Sequence, residues 1–177
     1  MTGRHLDAQA RRIVTGVNAE GRSYVESDEL TPHRLPNPGN TKCDIWRVHG
    51  IPVKLTDGDG MTDGKVVTEP PFGGLIYRVV TFPPDSEWDR SLGYADATGR
   101  LPTGNPGFDD EGIPGLHVTD TVDFLTVISG ELWCELQEGE VHLRPGDTIV
   151  QRGTRHSWSN RTDKTTTIVS VMMTGRR

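Results

Sequence analysis

From residue 123 to residue 173 the chain reverses direction every few residues, and that spacing excludes most folds. Apolar and β-branched runs over 123–128, 131–136, Glu140–Leu143, 147–151, 155–160 and 165–173 alternate with Ser129-Gly130, Glu138-Gly139 and Pro145-Gly146. Runs of this length, bounded by residues that favour turns, read as strands joined by hairpins rather than as helices. Their regular succession predicts a sandwich or a barrel. Composition agrees: 21 glycines and 12 prolines against 33% hydrophobic residues suit many short strands better than long helices.

Upstream, Leu75–Phe82 is a strand candidate built of β-branched, aromatic and apolar residues, and Pro83-Pro84 ends it. Shorter extended stretches over 12–17, 24–26 and 45–48 are separated by the turn-rich tracts 36–39 and 57–60. We read residues 1–70 as an N-terminal arm with outer strands and 71–177 as the barrel core. A length of 177 residues suits one domain over 1–177, with little room for a second core. Residues 83–115 hold five prolines and six glycines without sustained periodicity. A connection that long inside a compact domain is usually functional or disordered, and the two functional readings are a lid over a pocket and an arm clasping a second subunit.

The net charge of −6 argues against nucleic acid as a partner, since phosphate binding wants clustered Lys and Arg. Two cysteines, Cys43 and Cys134, make no disulfide framework, and Cys134 alternates with Leu132 and Leu136 as a small buried hydrophobe would. The first residues carry Arg4, Arg11 and Arg12 without an apolar core segment, and the longest apolar run, near 168–173, is too short to span a bilayer. The expectation is a cytoplasmic protein with no membrane partner.

Chemistry concentrates in two places. His117 and Asp123 flank the start of the strand series, and His156 lies near its end, on a stretch that runs from Gly153 to Asn160. Two imidazoles and a carboxylate on neighbouring strands are donors suited to a first-row divalent ion. In the same pattern, Asp123 can instead orient one histidine for acid-base work with no metal present. Thr119 shares a strand face with His117, and Trp158 shares one with His156 and Asn160, by the two-residue repeat. Arg78 and Tyr77 project to opposite sides of their strand. An inward Arg78 would hold a substrate carboxylate, and an outward one would be an ordinary surface residue. Asn160 reads as a turn residue, and His5, His33, His49 and His142 as surface or structural residues.

These motifs resemble those of the cupin superfamily, in particular its small single-domain members. The first family motif, H-x-H, three or four residues, E, six residues, G, is matched by His117, Asp123 in place of Glu, and Gly130. Thr119 stands where the second histidine is usual. The second motif is matched by Gly153, His156 and Asn160, with Gln151 where proline is usual. The resemblance implies an all-β fold, a double-stranded β-helix (jelly-roll) barrel. It also implies an enzyme that acts on a small oxygenated, carbonyl-bearing or aromatic metabolite in the barrel mouth.

On that resemblance His117, Asp123 and His156 are the catalytic residues and would bind a divalent metal ion such as Fe, Mn, Zn or Ni. Arg78, Thr119 and Trp158 would contact substrate, and the chemistry would be that of a dioxygenase or a decarboxylase or dehydratase-type lyase. Two alternatives stay open: a metal-free acid-base dehydratase or isomerase, and a small-molecule-binding cupin without turnover. A homodimer is expected, because outer strands and a long arm commonly close the sheet edges that this fold leaves.

Overall fold

The computed structural model describes residues 4–95 and 111–177. Among them are eleven strands and three short 3-10 turns, with no α-helix, and no helix long and apolar enough to cross a membrane. The expected jelly roll is what the strands build. A six-stranded sheet has the order β3-β4-β5-β11-β6-β9. Its strands are β3 (Arg34–Asn37), β4 (Asn40–Val48), β5 (Leu75–Phe82), β6 (Thr121–Ser129), β9 (Thr148–Arg152) and β11 (Thr166–Thr174). A three-stranded sheet, β10-β7-β8, faces it, built from β7 (Leu132–Leu136), β8 (Glu140–Leu143) and β10 (His156–Ser159). Every registered pair in both sheets is antiparallel.

Alternation fixes which side chains enter the barrel, since successive residues of a strand point to opposite faces. Along β6, Thr121, Asp123, Leu125 and Val127 are buried, while Phe124 and Ile128 are exposed. On β5 the inward set is Ile76, Arg78, Val80 and Phe82. The register sets these residues in cross-strand rows: Asp44, Arg78, Ser170 and Leu125 form one, and Ile76, Met172 and Asp123 the next. One half of the barrel is filled by apolar side chains, among them Phe82, Leu125, Val127, Leu132, Leu143 and Ile168. Each fully buried side chain of this size contributes about 1.5–3 kcal/mol. Phe82, Leu125 and Ile168 also line the cavity that holds the histidines, beside Arg78 and Asp123.

Gly130 shows why a turn residue recurs at one motif position. It has φ +76°, and a Cβ there would lie 2.4 Å from Thr166 Oγ1 and 2.9 Å from the Thr165 carbonyl oxygen. Thr166 in turn closes the hairpin, its hydroxyl accepting from Glu131 N at 3.0 Å and donating to Glu131 O at 2.7 Å. The neighbouring backbone is too close to admit a side chain.

The N-terminal segment divides differently from the arm read in the sequence. Only β1 (Arg11–Val17) and β2 (Ser23–Leu30) stand apart, as a two-stranded hairpin. The strands β3 and β4 join the main sheet, and their hairpin turns at residues 38–39, with Asn37 opposite Asn40. Pro36 sits on β3, an edge strand, where a missing N–H is tolerated. Of the proposed lid or arm, residues 83–95 and 111–115 are described, and the remainder lies outside the described residues. Its first part packs on its own barrel: Arg90 Nη2 donates to Glu135 Oε2 at 2.5 Å and to the Trp158 carbonyl at 3.0 Å, and Tyr94 donates to the same carbonyl at 3.0 Å.

Candidate functional site

The two histidines are neighbours because their backbones form a bridge. His117 N donates to His156 O and His156 N donates to His117 O, both at 2.9 Å. Residues directly opposed in an antiparallel pair place their side chains on one face, and the ring centroids are 4.4 Å apart. Each ring is oriented by a carbonyl two residues upstream. His117 Nδ1 bonds Gly115 O at 2.8 Å, and His156 Nδ1 bonds Thr154 O at 2.9 Å. A carbonyl only accepts, so both Nδ1 atoms carry the proton and both Nε2 atoms keep a lone pair.

Burial sets the charge state of all three groups. It lowers His117 to about 4, with the Lys42 charge adding to the effect, and it lowers His156 to about 3, helped by the neighbouring imidazole. Both rings are neutral near pH 7. Burial raises Asp123 to about 6 against the hydrogen bond from Thr121 and the charge of Arg78, and Glu69 pushes it further up. Its Oδ1 is buried without a hydrogen-bond partner among the described residues.

These groups line one cavity of about 80 Å3, together with Arg78, Thr119 and Trp158. All six residues singled out in the sequence therefore meet in one place. Arg78 points inward and is 3% exposed. Its Nε lies 3.0 Å from Asp44 Oδ1, and its Nη2 donates to Val67 O at 2.8 Å. Asp44 is shared with Arg47 at 3.6 Å, so the buried carboxylate answers two guanidinium groups. Trp158 serves both the apolar cluster and the cavity wall. Thr119 bonds Thr121 hydroxyl to hydroxyl at 2.6 Å. Asn160 holds a turn, donating to Phe82 O at 3.3 Å and to Lys164 O at 2.7 Å.

Lys42 and Tyr94 also line the cavity, and sequence reasoning passed over both. Lys42 is 6% exposed and donates to Ala95 O at 2.8 Å. In the run 40–45 the polar Asn40, Lys42 and Asp44 alternate with Thr41, Cys43 and Ile45, and simple alternation would send the charged set outward. Here both sets are mostly buried, and the charged one faces the cavity. Tyr94 comes from a loop, where periodicity carries no signal.

The three-residue metal set implied by the resemblance does not assemble. The imidazole pair suits an ion, since backbone acceptors fix both rings and leave both Nε2 lone pairs available. The carboxylate does not join it: among the described residues no group of three His, Cys, Asp or Glu side chains is gathered closely enough to hold an ion. Asp is one methylene shorter than the usual Glu, and the place of a further imidazole is taken by Thr119, whose hydroxyl is turned to Thr121.

An antiparallel barrel that encloses a cavity lined by neutral imidazoles, a carboxylate, buried cations and apolar side chains is a jelly roll with a polar interior site. Sequence comparison narrows this. A model of the cupin domain matches residues 106–172. Phomopsin biosynthesis cluster protein C' of Diaporthe leptostromiformis is 44% identical over 160 residues, covering 85% of this chain and 70% of that protein. Oryzines biosynthesis cluster protein J of Aspergillus oryzae is 36% identical over 166 residues, covering 86% and 75%. A cupin-domain-containing oxidoreductase, srdD, of Neurospora crassa is 28% identical over 170 residues, covering 93% and 73%. The chain belongs to the cupin family.

Proposed function

We propose that this cupin is an enzyme that moves a proton on a compact carbonyl-bearing metabolite, as an isomerase or dehydratase does. The observation that carries the reading is Asp123, a buried carboxylate held near 6 with one oxygen unpartnered, in a cavity shared with Lys42 and Arg78. A base poised near the working pH is what general base catalysis needs. In the ionised form Asp123 takes a proton from carbon next to the substrate carbonyl. The electron pair moves onto the carbonyl oxygen, where the positive charge of Lys42 and Arg78 stabilises it. His117 and His156 offer Nε2 as acceptors to a substrate hydroxyl, and Phe82, Tyr94 and Trp158 supply the apolar wall. A cavity of about 80 Å3 favours a small substrate.

A second reading, a metal-loaded oxidoreductase, is favoured by the paired Nε2 lone pairs and by similarity to cupin-domain-containing oxidoreductases such as srdD. One experiment separates the two. Solvent deuterium incorporation is followed by NMR for a panel of small aliphatic and aromatic 2-oxo acids, on protein stripped of metal with chelator and on the same protein reloaded with Fe(II), Mn(II), Zn(II) or Ni(II). Exchange by stripped protein that falls on the order of 100-fold in Asp123→Asn supports proton transfer. Turnover that appears only on reloading, at one ion per chain, would replace it with the second reading.

A further inference from the structure

Residues 61–72 form no strand, yet part of this tract is as buried as the barrel wall. Met61, Val66 and Thr68 all point inward, and Thr68 is 4% exposed. Two guanidinium groups of the barrel hold the backbone of the tract. Arg47 Nη2 donates to Lys65 O at 2.5 Å, and Arg78 Nη2 donates to Val67 O at 2.8 Å. Both guanidinium groups lean on Asp44, which is fully buried. The tract is thus fixed to the barrel from within, and Thr68 is where it meets the cavity.

Among the described residues the Thr68 hydroxyl is buried with no hydrogen-bond partner. Buried polar side chains are paired in most native folds, so a hydroxyl left over on a cavity wall points to a group bound in that cavity. Arg78 offers a second donor beside it. Its Nε and Nη2 face the two oxygens of Asp44 at 3.0 and 3.3 Å, whereas Nη1 makes no hydrogen bond among the described residues. The planar group turns Nη1 away from the carboxylate that holds its other edge. Thr68 directly follows the carbonyl that Nη2 grips, and both residues line the same cavity. On the far side of Thr68, Glu69 is near enough for its charge to act on Asp123. Residues 67–69 therefore run from Arg78 towards the base.

We propose that Thr68 Oγ1 and Arg78 Nη1 form a two-donor notch for one substrate oxygen, the one that becomes negative when Asp123 removes the proton. The C–H proton goes to Asp123, the C–H electron pair forms the new carbon-carbon double bond, and the carbonyl pair moves onto oxygen. There the Thr68 hydroxyl donates to it and the Arg78 charge balances it. Donors fixed in advance stabilise such charge without reorganising as it develops. The catalytic role of Thr68 rests on the proton transfer proposed above, whereas the notch itself is a site for a small oxyanion.

Thr68→Val keeps the side-chain shape and removes the hydroxyl, and Thr68→Ser returns it. In solvent deuterium exchange of the 2-oxo acids, Thr68→Val is expected to lower kcat on the order of 100-fold while KM changes less than about twofold, and Thr68→Ser to recover most of the loss. Calorimetry on chelator-stripped protein gives a readout that needs no turnover. The probe is acetohydroxamate, whose ionised oxygen lies in the plane of its amide as an enolate oxygen lies in the plane of its double bond. Its affinity should fall about tenfold in Thr68→Val and return in Thr68→Ser, with all three proteins giving the same circular dichroism spectrum. Binding in this pattern without any proton exchange would refute the proton-transfer reading and support the notch. A wild type that does not bind acetohydroxamate, a Thr68→Val variant that binds it as tightly, or a loss that Thr68→Ser fails to restore would overturn the notch.

Discussion

Asp123 sits under two opposed demands. Its carboxyl titrates near 6 in the folded chain, against an ordinary value of 3.8. Between those values the folded state holds a proton that the unfolded state has released, so stability falls as pH rises from 3.8 to 6 and stays lower above 6. Two units correspond to about 3 kcal/mol. Asp123→Asn is therefore expected to raise the unfolding free energy at pH 7.5 by up to that amount, read as a higher urea midpoint, while slowing proton exchange on the order of 100-fold. A variant less stable than wild type at that pH would show that the ionised carboxylate is well paired, contrary to its orphaned oxygen. For the wild type, kcat/KM should climb through about pH 6 as the base ionises, a profile that Asp123→Asn lacks.

At the scale of the element, the hairpin turn at Gly130 makes a sharp prediction. Gly130→Ala combines a left-handed backbone conformation with a Cβ driven into the backbone of Thr165 and Thr166. A cost of about 3 kcal/mol is expected, which lowers Tm by roughly 6–12 °C in a chain of this size, with the cavity residues untouched. A shift under 2 °C, roughly the smallest that a real strain term would give, would mean that the turn relaxes. Elements with clean alternation were legible from sequence alone. Leu75–Phe82 was read to the residue, and the strands after residue 121 within one or two. That His117 and His156 lie on neighbouring strands was legible too, because both stand at motif positions, whereas their direct backbone bridge was not. What escaped was β4, where the inverted polar alternation hid Lys42 and Asp44, and the contribution of Tyr94 from an irregular segment. Whether two imidazoles and an acid close on one ion depends on side-chain reach, which spacing does not encode.

Across the whole molecule, acid works against the fold. His117 and His156 titrate near 4 and 3 when folded and near 6.5 when not. Below pH 6.5 the unfolded chain gains protons that the folded chain refuses, so stability drops as pH falls. Asp123 works in the opposite sense below 6, but it is one group against two. A net loss of about 3 kcal/mol between pH 7 and pH 4.5 is expected. Urea titrations at the two pH values check this, and His156→Gln should flatten the decline. Equal stability at both pH values would contradict neutral, buried imidazoles. One consequence lies in how the barrel is stoppered. Tyr94 reaches the interior from a segment that contributes no strand among the described residues, and Arg90 ties that segment to the carbonyl of Trp158. The room inside can therefore be retailored from this strap alone, without disturbing a single cross-strand pair.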